Sequence, residues 1–138
     1  MSTRTRIKDG FLISNAIADQ KRGWFVGQFV PEELGLRHQT DVEVKWGIHP
    51  LGEERPAWVH YKKSTTISVI LEGQFLLHVS KDGIIEDHVL KTPGDYVIMA
   101  PGVRHSWKAI TACVLLSVRF PSVAGDQFEE PGPDPAVR

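Results

Sequence analysis

The chain has 138 residues, 41% of them hydrophobic, 24% charged and 9% aromatic, enough to bury roughly two-thirds of its unfolded surface and fold as one domain without disulfides or a structural metal. Sixteen Lys and Arg stand against seventeen Asp and Glu, a formal charge of −1, and the scattering of both signs excludes the concentrated basic surface that nucleic acid requires. A single cysteine, Cys113, excludes a disulfide framework, and no apolar run is long enough for a signal peptide or a membrane span, so a soluble cytoplasmic protein is expected, with no membrane partner.

Residues 1–40 open with the basic, Ser- and Thr-rich "MSTRTRIKDG". Only "SNAIADQ" and "PEELGLR" suit a turn or two of helix, and Gly35 breaks the second. Between them "GWFVGQFV" is apolar enough to pack on the main body or to join a dimer interface, and Trp24 is expected in the core. In "DVEVKWGIH", Val42, Val44, Trp46 and Ile48 alternate with Glu43, Lys45, Gly47 and His49, the pattern of a strand with one apolar face. After the turn "HPLGEERP", the runs "TTISVILEG", "QFLLHVS", "IIEDHVL", "DYVIMA", "HSWKAI" and "CVLLSVRF" predict further short strands. Asp82-Gly83 predicts a tight hairpin, because Gly tolerates positive φ, and "KTPGD" predicts another turn. Cys113 sits in the last apolar run, where burial makes its thiol inert. From about residue 123, "GDQFEEPGPDPAVR" has almost nothing apolar to bury and is expected to be a mobile tail over 123–138. Many short strands with regular turns suit an all-β barrel or sandwich over 41–122.

Two segments, "TTISVILEGQF" and "GDYVIMAPGVRHSW", resemble the paired signatures of the cupin superfamily, and "VKWGIHPLGE" and "VRFPS" extend the likeness to small single-domain bacterial cupins over roughly residues 40 to 121. In the second signature Gly94, Gly102 and His105 hold the expected places. Ala100 occupies the usual proline position with Pro101 one residue on, and Ala109 replaces an asparagine. In the first, "VILEG" ends at Gly73, the glycine at which a cupin strand bends. Its metal-binding half is degenerate: counting back from Gly73, Thr66 stands where the family has Glu, Lys62 where it has the second His, and His60 where it has the first. The resemblance implies a single-domain, all-β cupin barrel, a double-stranded, jelly-roll-like β-helix. It also implies a pocket for a small organic molecule, and a homodimer.

A divalent transition metal wants three or four protein ligands. His105 and His60 are two candidates, and His49, on the polar side of its strand, is a third, with Glu53 as another donor; protonated Lys62 is a poor ligand. Without metal, the resemblance still points His105 into the barrel, and Thr66 and Ser68 share one face of their strand. His105 could then shuttle a proton against Tyr96 or Lys62 as the opposite acid or base. At least one of Trp46, Trp58 and Trp107 is expected to line the pocket. Arg119, interrupting an apolar run, either holds a ligand carboxylate or pairs with Glu43, Glu72 or Asp95. His38, His78 and His88 are expected at the surface or in packing roles. The pocket therefore points to a small polar or acidic ligand and to one of three functions. These are an enzyme (lyase, isomerase or oxygenase) built on His105, with or without metal; a non-catalytic binding module; or a structural protein with a filled barrel.

Overall fold

The computed structural model of the chain describes residues 6–8 and 10–131. In chain order the elements are β1 (Arg6–Lys8), β2 (Phe11–Ile13), α1 (Ala16–Asp19), β3 (Trp24–Val26), a 3-10 segment at Glu32–Arg37, β4 (Glu43–His49), β5 (Glu54–Tyr61) and β6 (Thr65–Glu72). There follow β7 (Phe75–Lys81), β8 (Ile84–Leu90), β9 (Tyr96–Met99), β10 (Arg104–Ala109), β11 (Cys113–Phe120) and β12 (Gln127–Glu130). Strands β1 and β2 form a hairpin of their own. The others build two five-stranded antiparallel sheets, in the orders β12-β5-β10-β7-β8 and β3-β4-β11-β6-β9. The strand ladders stay within each sheet, so the barrel expected from the sequence takes the form of a jelly-roll sandwich. Among the described residues no helix is long and apolar enough to cross a membrane.

Local chemistry accounts for the turns. Asp82 and Gly83 both have positive φ, 53° and 81°, the combination a two-residue hairpin between β7 and β8 requires. Gly73 turns the chain out of β6 with φ +88°, and a Cβ there would stand 2.6 Å from that of Cys113; only a glycine passes. Gly35 has a positive φ inside the 3-10 segment and interrupts it, as its sequence position predicts.

Two segments differ from the expectations. Strand β5 begins inside the expected turn "HPLGEERP" and runs through Pro56. Proline cannot donate to a ladder and is confined to edges and bulges. Here the register with β10 jumps from Val59 opposite His105 to Arg55 opposite Trp107, so Pro56 lies in the irregularity, and the distorted alternation hides the strand from a period-two search. The expected mobile tail from residue 123 is also corrected: Gln127–Glu130 form β12, paired antiparallel to β5. Asp126, only 6% exposed, explains it. Its carboxylate accepts hydrogen bonds from the Lys63 amide at 3.0 and 3.1 Å and from the Ser64 amide at 2.9 Å, and Phe128 stacks on His60 with ring centroids 5.5 Å apart. Residues 132–138 of that tail lie outside the described residues.

The apolar core joins Ile70, Phe75, Leu77, Leu90, Ala109, Cys113 and Leu115 between the sheets, with Val79, Val97 and Trp107 against it. Cys113 is part of this packing, and burial pushes its thiol pKa up. The N-terminal segment belongs to the same body, since β3 pairs with β4. Strand β4 has the expected alternation with its polarity reversed: Glu43, Gly47 and His49 are buried, whereas Ile48 on the apolar side is 56% exposed.

Candidate functional site

The reversed face of β4 lines a cavity of about 90 Å³ between the two sheets. Side chains two residues apart point the same way along a strand. Lys45 and His49 of β4, Thr66 and Ser68 of β6, and Ser117 and Arg119 of β11 therefore all enter it from one sheet. Arg55 and Tyr61 of β5, Phe75 of β7, and His105 and Trp107 of β10 enter from the other. Registers of Ser117 against Ser68 and Arg119 against Thr66 align these rows, and the two serine hydroxyls are hydrogen-bonded at 2.8 Å. Gly47 leaves room for the ring of His49, since a Cβ at 47 would stand 2.9 Å from Nε2. Trp107 stacks on Phe75 and meets the His49 ring edge-on, with centroids 5.2 and 4.6 Å apart. The core cluster thus forms an apolar wall beneath polar groups.

Arg119 is the most constrained of these groups. Its Nη1 donates to Glu43 Oε1 at 2.6 Å and its Nη2 to the Tyr61 hydroxyl at 2.6 Å. Its guanidinium carbon lies 3.8 Å from the Tyr61 ring centroid and 4.5 Å from that of Trp24. Ser122 Oγ donates to the other Glu43 oxygen at 2.8 Å. Of the ion-pair partners open to Arg119 in the sequence, the structure selects Glu43. Trp24, expected in the core, instead faces Arg119 at the cavity.

Among the described residues no Asp or Glu lines the cavity. Glu43 stands behind Arg119, and Glu53 accepts from His49 Nδ1 at 2.6 Å, whereas Lys45 and Arg55 form no ion pair among the described residues. Burial lowers the Lys45 pKa to about 8, assisted by repulsion from Arg55 and Arg119 against a weaker pull from Glu53. Burial also lowers His49, against its bond to Glu53, and raises the Tyr61 hydroxyl against the two arginines. His105 falls to about 4, through burial first and Arg55 second, outweighing the Val103 backbone. Three buried side-chain atoms at the cavity, Thr66 Oγ1, His105 Nδ1 and Arg119 Nε, have no hydrogen-bond partner among the described residues.

A neutral buried His105 makes stability depend on pH. Its folded pKa near 4 lies below the ordinary 6.5, so its contribution is complete above pH 6.5 and is lost as pH falls toward 4. That window is worth about 3 kcal/mol. Urea midpoints should drop between pH 7 and 4.5 in the wild type and drop much less in His105→Gln; parallel curves for the two proteins would refute this.

Six of the residues singled out in the sequence, His49, Thr66, Ser68, His105, Trp107 and Arg119, meet at the cavity. Three do not. Tyr96 is 64% exposed on β9, because its neighbour Val97 takes the inward position. Lys62 is exposed, its amine 4.3 Å above the Phe128 ring. His60 stacks on Phe128 outside the cavity, its Nδ1 3.7 Å from Glu130. Neither Tyr96 nor Lys62 is therefore placed as acid or base opposite His105. The expected metal set of His49, His60 and His105 does not converge, and among the described residues no group of three His, Cys, Asp or Glu side chains could hold a metal ion. A divalent ion would moreover share the cavity with Lys45, Arg55 and Arg119 and no carboxylate, so the residues present do not fit one. Lys45, Arg55 and Tyr61 are cavity residues beyond those the sequence singles out. The parity of Lys45 with His49 is the sign for it in the sequence, while Arg55 and Tyr61 belong to β5, whose irregular alternation masks them.

No family model matches the sequence, and no curated protein matches it. Among solved structures, the fold superposes on KdgF from Halomonas sp. with TM-score 0.54 at 16% identity, over 62% of this chain and 75% of that one. A cupin protein from Bacteroides fragilis gives 0.52 at 24%, over 62% and 70%. A conserved protein with a double-stranded β-helix domain from Klebsiella pneumoniae gives 0.53 at 21%, over 70% and 74%. At these identities the likeness is one of architecture. Two antiparallel jelly-roll sheets enclosing a cavity, together with these neighbours, show that the chain has the cupin fold.

Proposed function

We propose that the cavity binds a small organic anion, a carboxylate in particular. The observation that carries this is a cavity lined by Lys45, Arg55 and Arg119 and by no acid, with only Arg119 in an ion pair. Half-buried cations without a counter-charge, as Lys45 and Arg55 are among the described residues, and buried polar atoms without hydrogen bonds are costly. A carboxylate against Arg55 would satisfy both, and guanidinium recognises its two oxygens in a fixed geometry. One water needs about 10–15 Å³ of cavity, so 90 Å³ suits a molecule of a few carbon atoms. His105, neutral at physiological pH, serves as a hydrogen-bonding wall and is a weak proton shuttle there, which favours binding over acid–base catalysis centred on this residue.

Titration calorimetry at low salt against small mono- and dicarboxylates tests the proposal. Arg55→Ala should weaken binding by about 10- to 100-fold, the worth of a charge-assisted hydrogen bond. Lys62→Ala, altered outside the cavity, should bind as the wild type does. Equal affinities in Arg55→Ala and wild type would reject a carboxylate site.

The same inversion of β4 suggests the protein partner. Trp46, Ile48, Leu116, Val69, Tyr96 and Ile98 turn outward from the β3-β4-β11-β6-β9 sheet, and the alternating outward positions of β4, β6, β9 and β11 carry no charge. Four strands spaced about 4.8 Å and averaging about seven residues, with β9 the shortest at four, offer roughly 400–500 Å² in plan. Side-chain relief raises this toward the ~600–800 Å² per partner of a modest interface. A surface without charge can meet itself across a two-fold axis without repulsion. We infer a homodimer through this sheet.

A further inference from the structure

Lys45 has a chemical capacity beyond electrostatic attraction. It lines both the cavity and a groove of about 360 Å³ that shares Gly47, His49, Arg55 and Trp107 with it, so its side chain borders both spaces. Its stem is laid across Gly23: a Cβ at residue 23 would come within 2.9 Å of the Lys45 Cγ and 3.0 Å of its Cε. The amine reaches 5.7 Å from the centroid of Trp24. Arg55 is the adjacent cation, and neither has a carboxylate partner among the described residues. A lysine desolvated beside other cations is a primary amine available as a nucleophile.

We propose that Lys45 forms a Schiff base with the carbonyl of a small 2-oxo acid whose carboxylate is held by Arg55. This rests on the cavity being a carboxylate site and adds a carbonyl to the ligand. In the step, the Nζ lone pair forms a bond to the carbonyl carbon, and the carbonyl π pair moves to oxygen, which takes up a proton. The resulting hydroxyl leaves as water after a second protonation while the nitrogen lone pair forms the C=N bond. One amine proton has by then returned to solvent. The balance is amine plus ketone plus one proton giving the protonated imine plus one water, with no oxidant or reductant. The lowered pKa of about 8 supplies the free amine: at pH 8 about half of Lys45 is unprotonated, against less than about 1% of an ordinary lysine.

The test is reductive trapping. Protein at pH 8 is incubated with pyruvate, reduced with borohydride and mapped by mass spectrometry, while binding of pyruvate and of lactate, which has no carbonyl, is followed by calorimetry. The expected result is one adduct, of pyruvate less water plus two hydrogens, on Lys45. It should form on the order of 100-fold faster than on surface lysines, as the free-amine fractions dictate. It should vanish in Lys45→Met, which keeps the stem over Gly23, and slow at least about tenfold in Arg55→Ala. If pyruvate and lactate both bind and no adduct forms, the Schiff base is refuted and the carboxylate site stands. If neither binds and no adduct forms, both fall. Adducts spread evenly over many lysines, or formed equally fast in Arg55→Ala, also overturn the Schiff base.

Discussion

Glu43→Ala is expected to destabilise the fold by about 3–5 kcal/mol, the loss typical when one partner of a buried ion pair is removed. Glu43 is 4% exposed and binds two groups at once: Arg119 through Oε1 at 2.6 Å and Ser122 through Oε2 at 2.8 Å. Without it, a guanidinium wedged between Tyr61 and Trp24 keeps its charge in a cavity that already holds Lys45 and Arg55. Ser122 also accepts from the Gln28 amide at 3.0 Å, so loss of Glu43 removes the acceptor that orients a hydroxyl shared with the N-terminal segment. For a chain of this size the melting temperature should fall by about 10 °C or more. Glu43→Gln, which keeps the shape, separates lost charge from lost packing. A melt of Glu43→Ala within a degree or two of wild type would mean that water reaches Arg119 freely.

Leu116→Glu is expected to turn the proposed dimer into a monomer at micromolar concentration while leaving the circular dichroism spectrum unchanged. Leu116 lies on β11, the central strand of its sheet, with its side chain away from the cavity. In an isologous contact every substitution occurs twice, so the variant places two carboxylates in the middle of an apolar interface. Sedimentation of wild type and variant side by side decides the matter. A wild type already monomeric at high micromolar concentration would defeat the dimer, and a variant still dimeric would place the interface elsewhere.

Period-two runs and turn dipeptides made most strands legible, because strand alternation and positive-φ turns are local chemistry. Asp82-Gly83, Gly73 and the run Cys113–Phe120 behave in the structure as their neighbours in sequence dictate. Strands β5 and β12 were hidden because their causes are non-local: a Pro56 irregularity fixed by pairing with β10, and a carboxylate, Asp126, seated on amides more than sixty residues away. The resemblance likewise pointed His105 inward correctly and could not show that His60 and Lys62 face elsewhere.

By itself the sequence determined that the chain is all-β, which residues alternate, and that His105 and Arg119 are polar groups within apolar surroundings. Only the tertiary structure decided which face of β4 turns inward. Alternation defines two faces of a strand and is silent on which of them meets the opposite sheet; that follows from the pairing of β4 with β11, whose Arg119 stands opposite Glu43. With that choice Lys45 and His49 became cavity residues, Ile48 became surface, and an expected metal pocket became one lined with cations.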